Sequence, residues 1–241
     1  MTQQRVFMGD AADPAMVRAM ETARATFPLF WRELHWEYRR IIPAFGMTVV
    51  KFPFSDSAGG PVEQMWVTDL QFDGVELRGT LMNKPNQLRS VRQGSAVQRP
   101  WGELSDWMYT SRDQAWGGFT VAALRATMSQ AERTSHDDAW GLDFGPPESP
   151  RVPARTEHPM ALNMGPSLNE HLQKRPGDLT APDEFGLNMF HALALSGSPS
   201  LVSAALAFKP DVKAKTNRGL TARDLAHAMG WTEVVAVLDR V

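Results

Sequence analysis

The spacing of hydrophobic residues changes from helical to extended and back, and each change marks an element. Phe27, Phe30, Trp31, Leu34, Tyr38 and Ile41 recur every three or four residues, which sets them on one face of a helix. Asp13-Pro14, a cap followed by proline, starts a first helix that runs to about Ala25; Pro28 restarts it. Trp36 lies off the stripe, at an edge. After Pro43 the period falls to two, and Phe45, Met47 and Val49 alternate with Thr48, Val50, Phe52 and Phe54, so this strand is covered on both faces. The stretches 62–72 and 75–82 flank Asp73-Gly74, a hairpin signal whose type I′ turn needs positive φ at both central residues. Two shorter strands are expected at 94–99 and 103–110, which makes five.

Gly117-Gly118-Phe119-Thr120 leads into an amphipathic helix over 121–131 capped by Thr120, and 136–145 reads as irregular. Pro146, Pro147, Pro150, Pro153, Pro159 and Pro166 then crowd an interval that suits an extended linker. The pattern divides the chain into an α+β domain at 1–145, a Pro-rich linker at 146–165 and a C-terminal all-α region at 166–241. The expected fold class is α+β, a small antiparallel sheet domain with flanking helices, followed by the helical region.

That region repeats. Gly186 to Gly197 superposes on Gly219 to Gly230 at an offset of 33 residues, glycine on glycine at both ends, each followed by a second short helix, 201–208 and 233–238. The period resembles that of ankyrin repeats. Lys209-Pro210-Asp211-Val212-Lys213-Ala214 matches the Gly-Ala-Asp-Val-Asn-Ala stretch of that family, with Lys and Pro in place of Gly and Ala. A degenerate half-repeat starts near Pro166, giving about two and a half. The resemblance implies that His191 holds backbone of the neighbouring turn and that the repeats bind another protein. So few repeats are normally too small to stand alone, so they are expected to dock on the first domain or on a partner, their concave side left open.

The first half resembles the bacterial YegJ-like domain of unknown function, DUF2314. The resemblance rests on Val49-Val50-Lys51-Phe52-Pro53-Phe54, Glu63-Gln64-Met65-Trp66-Val67, Gly79-Thr80-Leu81-Met82-Asn83-Lys84-Pro85, Gly94, Ser105-Asp106-Trp107-Met108-Tyr109 and Gly117-Gly118-Phe119-Thr120, in this order. It covers roughly 26–128 and implies no activity. Glu157-His158-Pro159-Met160 fits versions of the family with ankyrin-like repeats appended.

Composition narrows the function classes. A net charge of -2 gives no basic excess to attract a phosphate backbone, so nucleic acid is not an expected partner. With no cysteine there is neither a disulfide nor a thiolate nucleophile, and no apolar run is long enough to span a bilayer. The residues up to Pro14 hold Arg5, Asp10 and Asp13 and no signal-like apolar run, so a cytoplasmic protein, monomeric or weakly oligomeric and away from membranes, is expected. No histidine pair has metal spacing, His136-Asp137-Asp138 reads as a solvated loop, and no phosphate-binding, dinucleotide or nucleophile-elbow motif occurs; no metal or cofactor is expected.

Two functions are weighed. The leading one is a protein-binding protein, in its sharpest form an immunity-type or adaptor protein that masks a toxin or effector. Trp101, Trp116, Trp140, Phe185, Asn217 and Arg218 are its candidate contacts, because tryptophan and arginine dominate binding hot spots. The alternative is a small-molecule-binding protein or enzyme with a pocket of Glu63, Trp66, Asn83, Asp106, Trp107 and Tyr109. It needs Glu63 and Asp106 about 5–9 Å apart to work as acid and base; the competing reading is that each carboxylate accepts hydrogen bonds from indoles or loop amides and fixes the fold. A third possibility is a scaffold whose repeats merely cover a sheet edge.

Overall fold

The structure, a computed structural model, describes residues 13–241. Arg5 and Asp10, used above, lie outside them. The described residues group into two compact units. One holds the chain up to Phe30, Arg40–Gln71 and Glu76–Pro153; the other holds Trp31–Arg39, Phe72–Val75 and Ala154–Val241.

The first unit is built on a six-stranded antiparallel sheet: β1 (Phe45–Phe54), β2 (Glu63–Phe72), β3 (Glu76–Leu81), β4 (Ala96–Pro100), β5 (Asp106–Ser111) and β6 (Gln114–Gly117), in the order β4-β3-β2-β1-β5-β6. The strand missed in the sequence is β6, four residues long and too short for alternation to show. It ends on Gly117 (φ 77), where a Cβ would stand 2.3 Å from the Trp107 carbonyl. The turn before it, Arg112-Asp113, has positive φ at both residues (50 and 61), the backbone expected at Asp73-Gly74. There, among the described residues, only Gly74 has positive φ (91); Asp73 Oδ1 instead accepts the Val75 amide at 2.9 Å, in a three-residue Asx-type connection.

The N-terminal helix, α1 (Pro14–Glu37), is one continuous helix with Pro28 inside it. Phe27 and Phe30 are fully buried on either side of the proline, and that burial outweighs one lost backbone bond. Phe30 stacks on Trp107 at 5.3 Å, on the sheet face that also carries Val50 and Phe52. The opposite face is covered by α2 (Phe119–Ala126) and α3 (Gln130–Trp140); Val49, Trp66, Met108, Ala115, Val121 of α2 and Phe144 form one core there, with Trp140 of α3 packed against it. The expected single helix over 121–131 is therefore two. Ser129 and Glu132 form a capping box that starts α3, so residues 136–140 are helical and not irregular.

In the second unit, α4 (Pro159–Lys174) is followed by α5 (Met189–Leu195) with α6 (Pro199–Leu206), and α7 (Ala222–Ala228) with α8 (Thr232–Leu238). Pro159 opens α4 and Pro166 lies within it, so the last residues of the proline-rich interval are helical and not extended. Pro166, near which a half-repeat is expected to start, thus lies inside a long helix. Stacking follows the 33-residue period: Leu168, Leu201 and Val234 are all buried, as are Leu172, Ala205 and Leu238. Trp231 closes the stack, its indole donating to the Leu195 carbonyl at 3.0 Å. Arg223 and Asp239 join α7 to the end of α8 with an exposed ion pair of 2.5 Å.

The last turns of α1 belong to this unit. Arg32 donates to the carbonyls of Thr156 (2.5 Å) and Ala154 (2.8 Å), and Trp36 stacks on His158 at 5.7 Å. Trp36 is consequently 1% exposed and not at an edge, because its cover comes from a segment over 110 residues away in sequence. Tyr38 and Ile41, placed on the buried stripe above, are 55% and 100% exposed, since α1 ends at Glu37 and the stripe ends with it.

Candidate functional site

Three adjacent strands bring the family-like motif residues of the first half together. Lys51 of β1 is in register with Trp66 of β2 on one side and with Asp106 of β5 on the other. Cross-strand partners project from the same face, here the one covered by α2. Lys51 Nζ lies 4.3 Å from the Trp66 ring centroid, a cation–π distance, and donates to Thr120 Oγ1 at 2.6 Å. The Thr120 hydroxyl donates in turn to Asp106 Oδ2. Asp106 also accepts the amides of Trp107 (2.9 Å), Phe119 (3.0 Å) and Thr120 (2.8 Å).

The need for this carboxylate arises in α2. That helix starts after Gly118, a left-handed residue with no side chain to cap it, and a carboxylate reaching in from β5 satisfies two of its free first-turn amides. Burial pushes Asp106 above its usual range while Lys51, Thr120 and the Phe119 amide oppose the rise. Burial lowers Lys51, and the charge of Asp106 opposes that. Thr120 therefore sits inside the helix as a bridge between the two groups and is not its cap.

Glu63 belongs to the other face. It pairs with Phe54, three residues along β1 from Lys51, so it and Asp106 point to opposite sides of the sheet, roughly 14 Å apart at Cα. The structure does not bring the two together. Burial would raise Glu63, but the amides of Asn86 (2.8 Å), Gln87 (2.5 Å) and Leu88 (3.1 Å) all point at its carboxylate and hold it below the ordinary value. Asn83 Oδ1 accepts the Trp66 amide at 2.7 Å, which fastens the end of β3 to β2. Trp107 faces α1, donating its indole N–H to the Ala23 carbonyl at 3.0 Å, and Tyr109 lies between Phe45 (4.3 Å) and Trp116 (5.7 Å). Of the six pocket candidates, Trp66 and Asp106 flank Lys51 on one face, while Glu63, Trp107 and Tyr109 share the other.

The candidate partner contacts are already engaged within the chain. Trp101 stacks on Phe27 at 5.3 Å, Trp116 on Tyr109, and Trp140 meets Phe144 edge to face at 5.9 Å. Phe185 is buried, and its carbonyl accepts the Asn217 amide at 2.9 Å while Asn217 Nδ2 donates to the Glu184 carbonyl at 3.0 Å. Successive repeat turns are joined in this way. Arg218 Nε donates to Asp73 Oδ2 at 2.9 Å. His191 donates from Nε2 to the Ala214 carbonyl at 3.0 Å and accepts the Asn188 amide at Nδ1. Asp137 takes a two-pronged bond from Arg125 and another contact from His136, and among the described residues no three acidic or histidine side chains converge as a metal site.

A family model described as an uncharacterized protein conserved in bacteria (DUF2314) matches residues 13–144. The chain belongs to the DUF2314 family. A putative ankyrin repeat protein of Neisseria meningitidis serogroup B is 38% identical over 244 residues, covering 97% of this chain and 96% of that protein. The uncharacterized protein YegJ of Escherichia coli is 32% identical over 83 residues, 34% of this chain and 53% of that protein.

The family match spans the whole of the Lys51, Trp66, Asp106 and Thr120 cluster. Lys51 and Thr120 were not among the site residues expected from sequence, although both stand inside the DUF2314-like motifs. The available signal was a lysine flanked by Val50 and Phe52 in a strand that reads as covered on both faces, since a charge there must find a partner.

Proposed function

We propose that this DUF2314 protein is a bacterial protein-binding protein, acting in the cytoplasm as an immunity-type or adaptor protein that masks a toxin or effector. The observation that carries the reading is the pair of ankyrin-type repeats, stacked at a 33-residue period over Leu168, Leu201 and Val234. Repeats of this build hold successive turns in fixed relation and display them to a partner. Here the Asn217 bonds to Phe185 and Glu184 fix that relation, leaving the side chains of Glu184 and Asn217 exposed. The Neisseria relative's description as a putative ankyrin repeat protein supports the same reading. The sheet unit contributes rigidity, since its buried charges are spent on helix and loop amides.

The test is affinity purification of the full tagged chain from its native bacterium, followed by size-exclusion chromatography with light scattering. A single co-purifying protein in fixed ratio is expected. Recovery of the chain alone across several salt concentrations and growth phases would overturn the reading.

A further inference from the structure

The loop between β3 and β4 is held by two carboxylates, the buried Glu63 and the exposed Asp56. Glu63 accepts the amides of Asn86, Gln87 and Leu88, and Asp56 accepts those of Arg89 (2.8 Å) and Ser90 (3.0 Å) together with the Ser90 hydroxyl. Five consecutive backbone N–H groups thus point at these two carboxylates. Further along, the Arg92 amide donates to Ser95 Oγ at 3.0 Å and Gln93 Nε2 to the Met82 carbonyl at 3.1 Å, which closes the turn into β4. A loop so fully bonded has little conformational freedom left to lose when a ligand arrives.

Its outer surface is basic. From Leu77 to Gly102 the chain carries Arg78, Lys84, Arg89, Arg92 and Arg99 and no acidic residue, in a protein whose net charge is -2. Lys84, Arg89 and Arg92 are exposed, and none takes part in an ion pair among the described residues. Of the acids nearby, Glu63 is buried against the loop amides, Asp56 is exposed and bonded to the Arg89 and Ser90 amides beside the Arg89 charge, Glu76 accepts the Gln98 amide group, and Glu103 approaches Arg99 at 4.0 Å, so Lys84 and Arg92 carry the excess of positive charge. Exposed Val62 (51%) and Met82 (41%) lie at the ends of the strands the loop adjoins.

The sheet edges differ in the same sense. β6 is sealed, because the Ala115 amide donates to the Asp143 carbonyl at 2.9 Å and the Gly117 amide to the Arg151 carbonyl at 2.8 Å. β4 is the other edge, and among the described residues no backbone outside β3 bonds to residues 96–99. An open edge is a template for an added strand.

We propose that the loop from Met82 to Ser95, with the open edge of β4, is a docking surface for an acidic extended segment of a partner protein. The segment adds to β4 as a strand and sets its carboxylates against Lys84, Arg89 and Arg92. Main-chain bonds supply the fit and charge selects the partner. The proposal rests on the protein-binding reading and adds a second point of contact, on the sheet unit.

The experiment titrates the full chain into a fluorescein-labelled peptide of alternating Glu and Val, twelve residues long, with a Lys and Val peptide as control. The acidic peptide is expected to bind, to weaken as salt rises, and to slow amide exchange at 96–100. The K84E/R89E/R92E chain should bind at least tenfold more weakly, with K84Q/R89Q/R92Q intermediate and serving as the substitute if the reversed chain does not fold. Equal binding by the reversed chain, protection elsewhere, no peptide binding, or binding only of single-stranded DNA or phosphatidylserine vesicles would overturn the proposal. A native partner captured equally by wild-type and reversed chains would remove this surface and leave the protein-binding reading standing.

Discussion

Lys51 and Asp106 stand opposite each other on β1 and β5, and the hydroxyl of Thr120 bridges them, 2.6 Å from Nζ and hydrogen-bonded to Oδ2. The bridge comes from α2, so one buried charge pair fixes a helix to a sheet. Removing one charge leaves the other buried without its partner, which is more damaging than removing both.

Asp106→Ala should therefore cost about 3–5 kcal/mol in urea unfolding, because it strands Lys51 and frees the first-turn amides of α2 together. Lys51→Met should cost less, since the methionine can still pack on Trp66 and Asp106 keeps its amides. Adding Lys51→Met to Asp106→Ala should recover part of the Asp106→Ala loss, because no unpartnered charge then remains buried. Strictly additive losses would show that the two groups act independently.

Glu63 gives the chain part of its resistance to acid. Its folded value lies below the ordinary carboxylate value because three amides stabilise the charge. The stability this contributes is fully present above the unfolded value of about 4.3 and is lost as pH falls from there through the folded value. Glu63→Gln should lower stability at pH 7 by about 1–3 kcal/mol and flatten the decline of the wild type below pH ~4.3. Exchange at the amides of residues 86–88 should quicken in the variant. Unchanged exchange there would mean that the loop does not depend on the carboxylate.

The parts of the fold legible in the sequence are those whose cause is local. The Asp73-Gly74 connection marked the β2–β3 hairpin, and the 33-residue offset marked the paired helices, because a turn or a short helix carries its own residues. What was missed has its cause elsewhere in the chain. Trp36 is buried by His158, α2 is capped from β5, and Pro28 is tolerated because Phe27 and Phe30 are buried around it. The site suffered the same limit. Glu63 and Asp106 stood in adjacent motifs, yet an odd separation in register along β1 puts them on opposite faces, and register is a property of pairing that neither motif contains.

Asp73 and Gly74 do more than turn the chain. Asp73, 3% exposed, accepts from Arg218 as well as from the Val75 amide, and a Cβ on Gly74 would lie 2.2 Å from Leu225 Cδ2. Arg218→Ala should lower stability by about 1–2 kcal/mol, since it removes a charge-assisted bond to a buried carboxylate. Gly74→Ala should lower it by about 3 kcal/mol through positive φ and overlap together. Leu225→Ala in that background should recover part of the loss by making room. Circular dichroism melts of the four chains decide the matter, and an Arg218→Ala chain that melts with the wild type would free Arg218 for the partner contact expected of it from sequence.

His35 makes the second unit sensitive to mild acid. It is 4% exposed, and its Nε2 has no hydrogen-bond partner. Burial first, then the charges of Arg39 and of His158, push it well below the ordinary 6.5; the Trp36 ring meets it edge-on at 5.2 Å, and Glu33, which faces His158, carries the opposite charge on the same helix. Because the folded form resists the proton more than the unfolded chain does, the unfolded chain binds it first as pH falls. Stability from this group is thus fully present above 6.5 and declines below it by roughly 1.4 kcal/mol per pH unit until the folded value is reached. The difference in stability between the wild type and His35→Phe, taken from pH 7.5 to 5, should therefore shift with that slope in favour of the variant. Parallel curves would mean that the His35 ring takes up its proton as readily folded as unfolded.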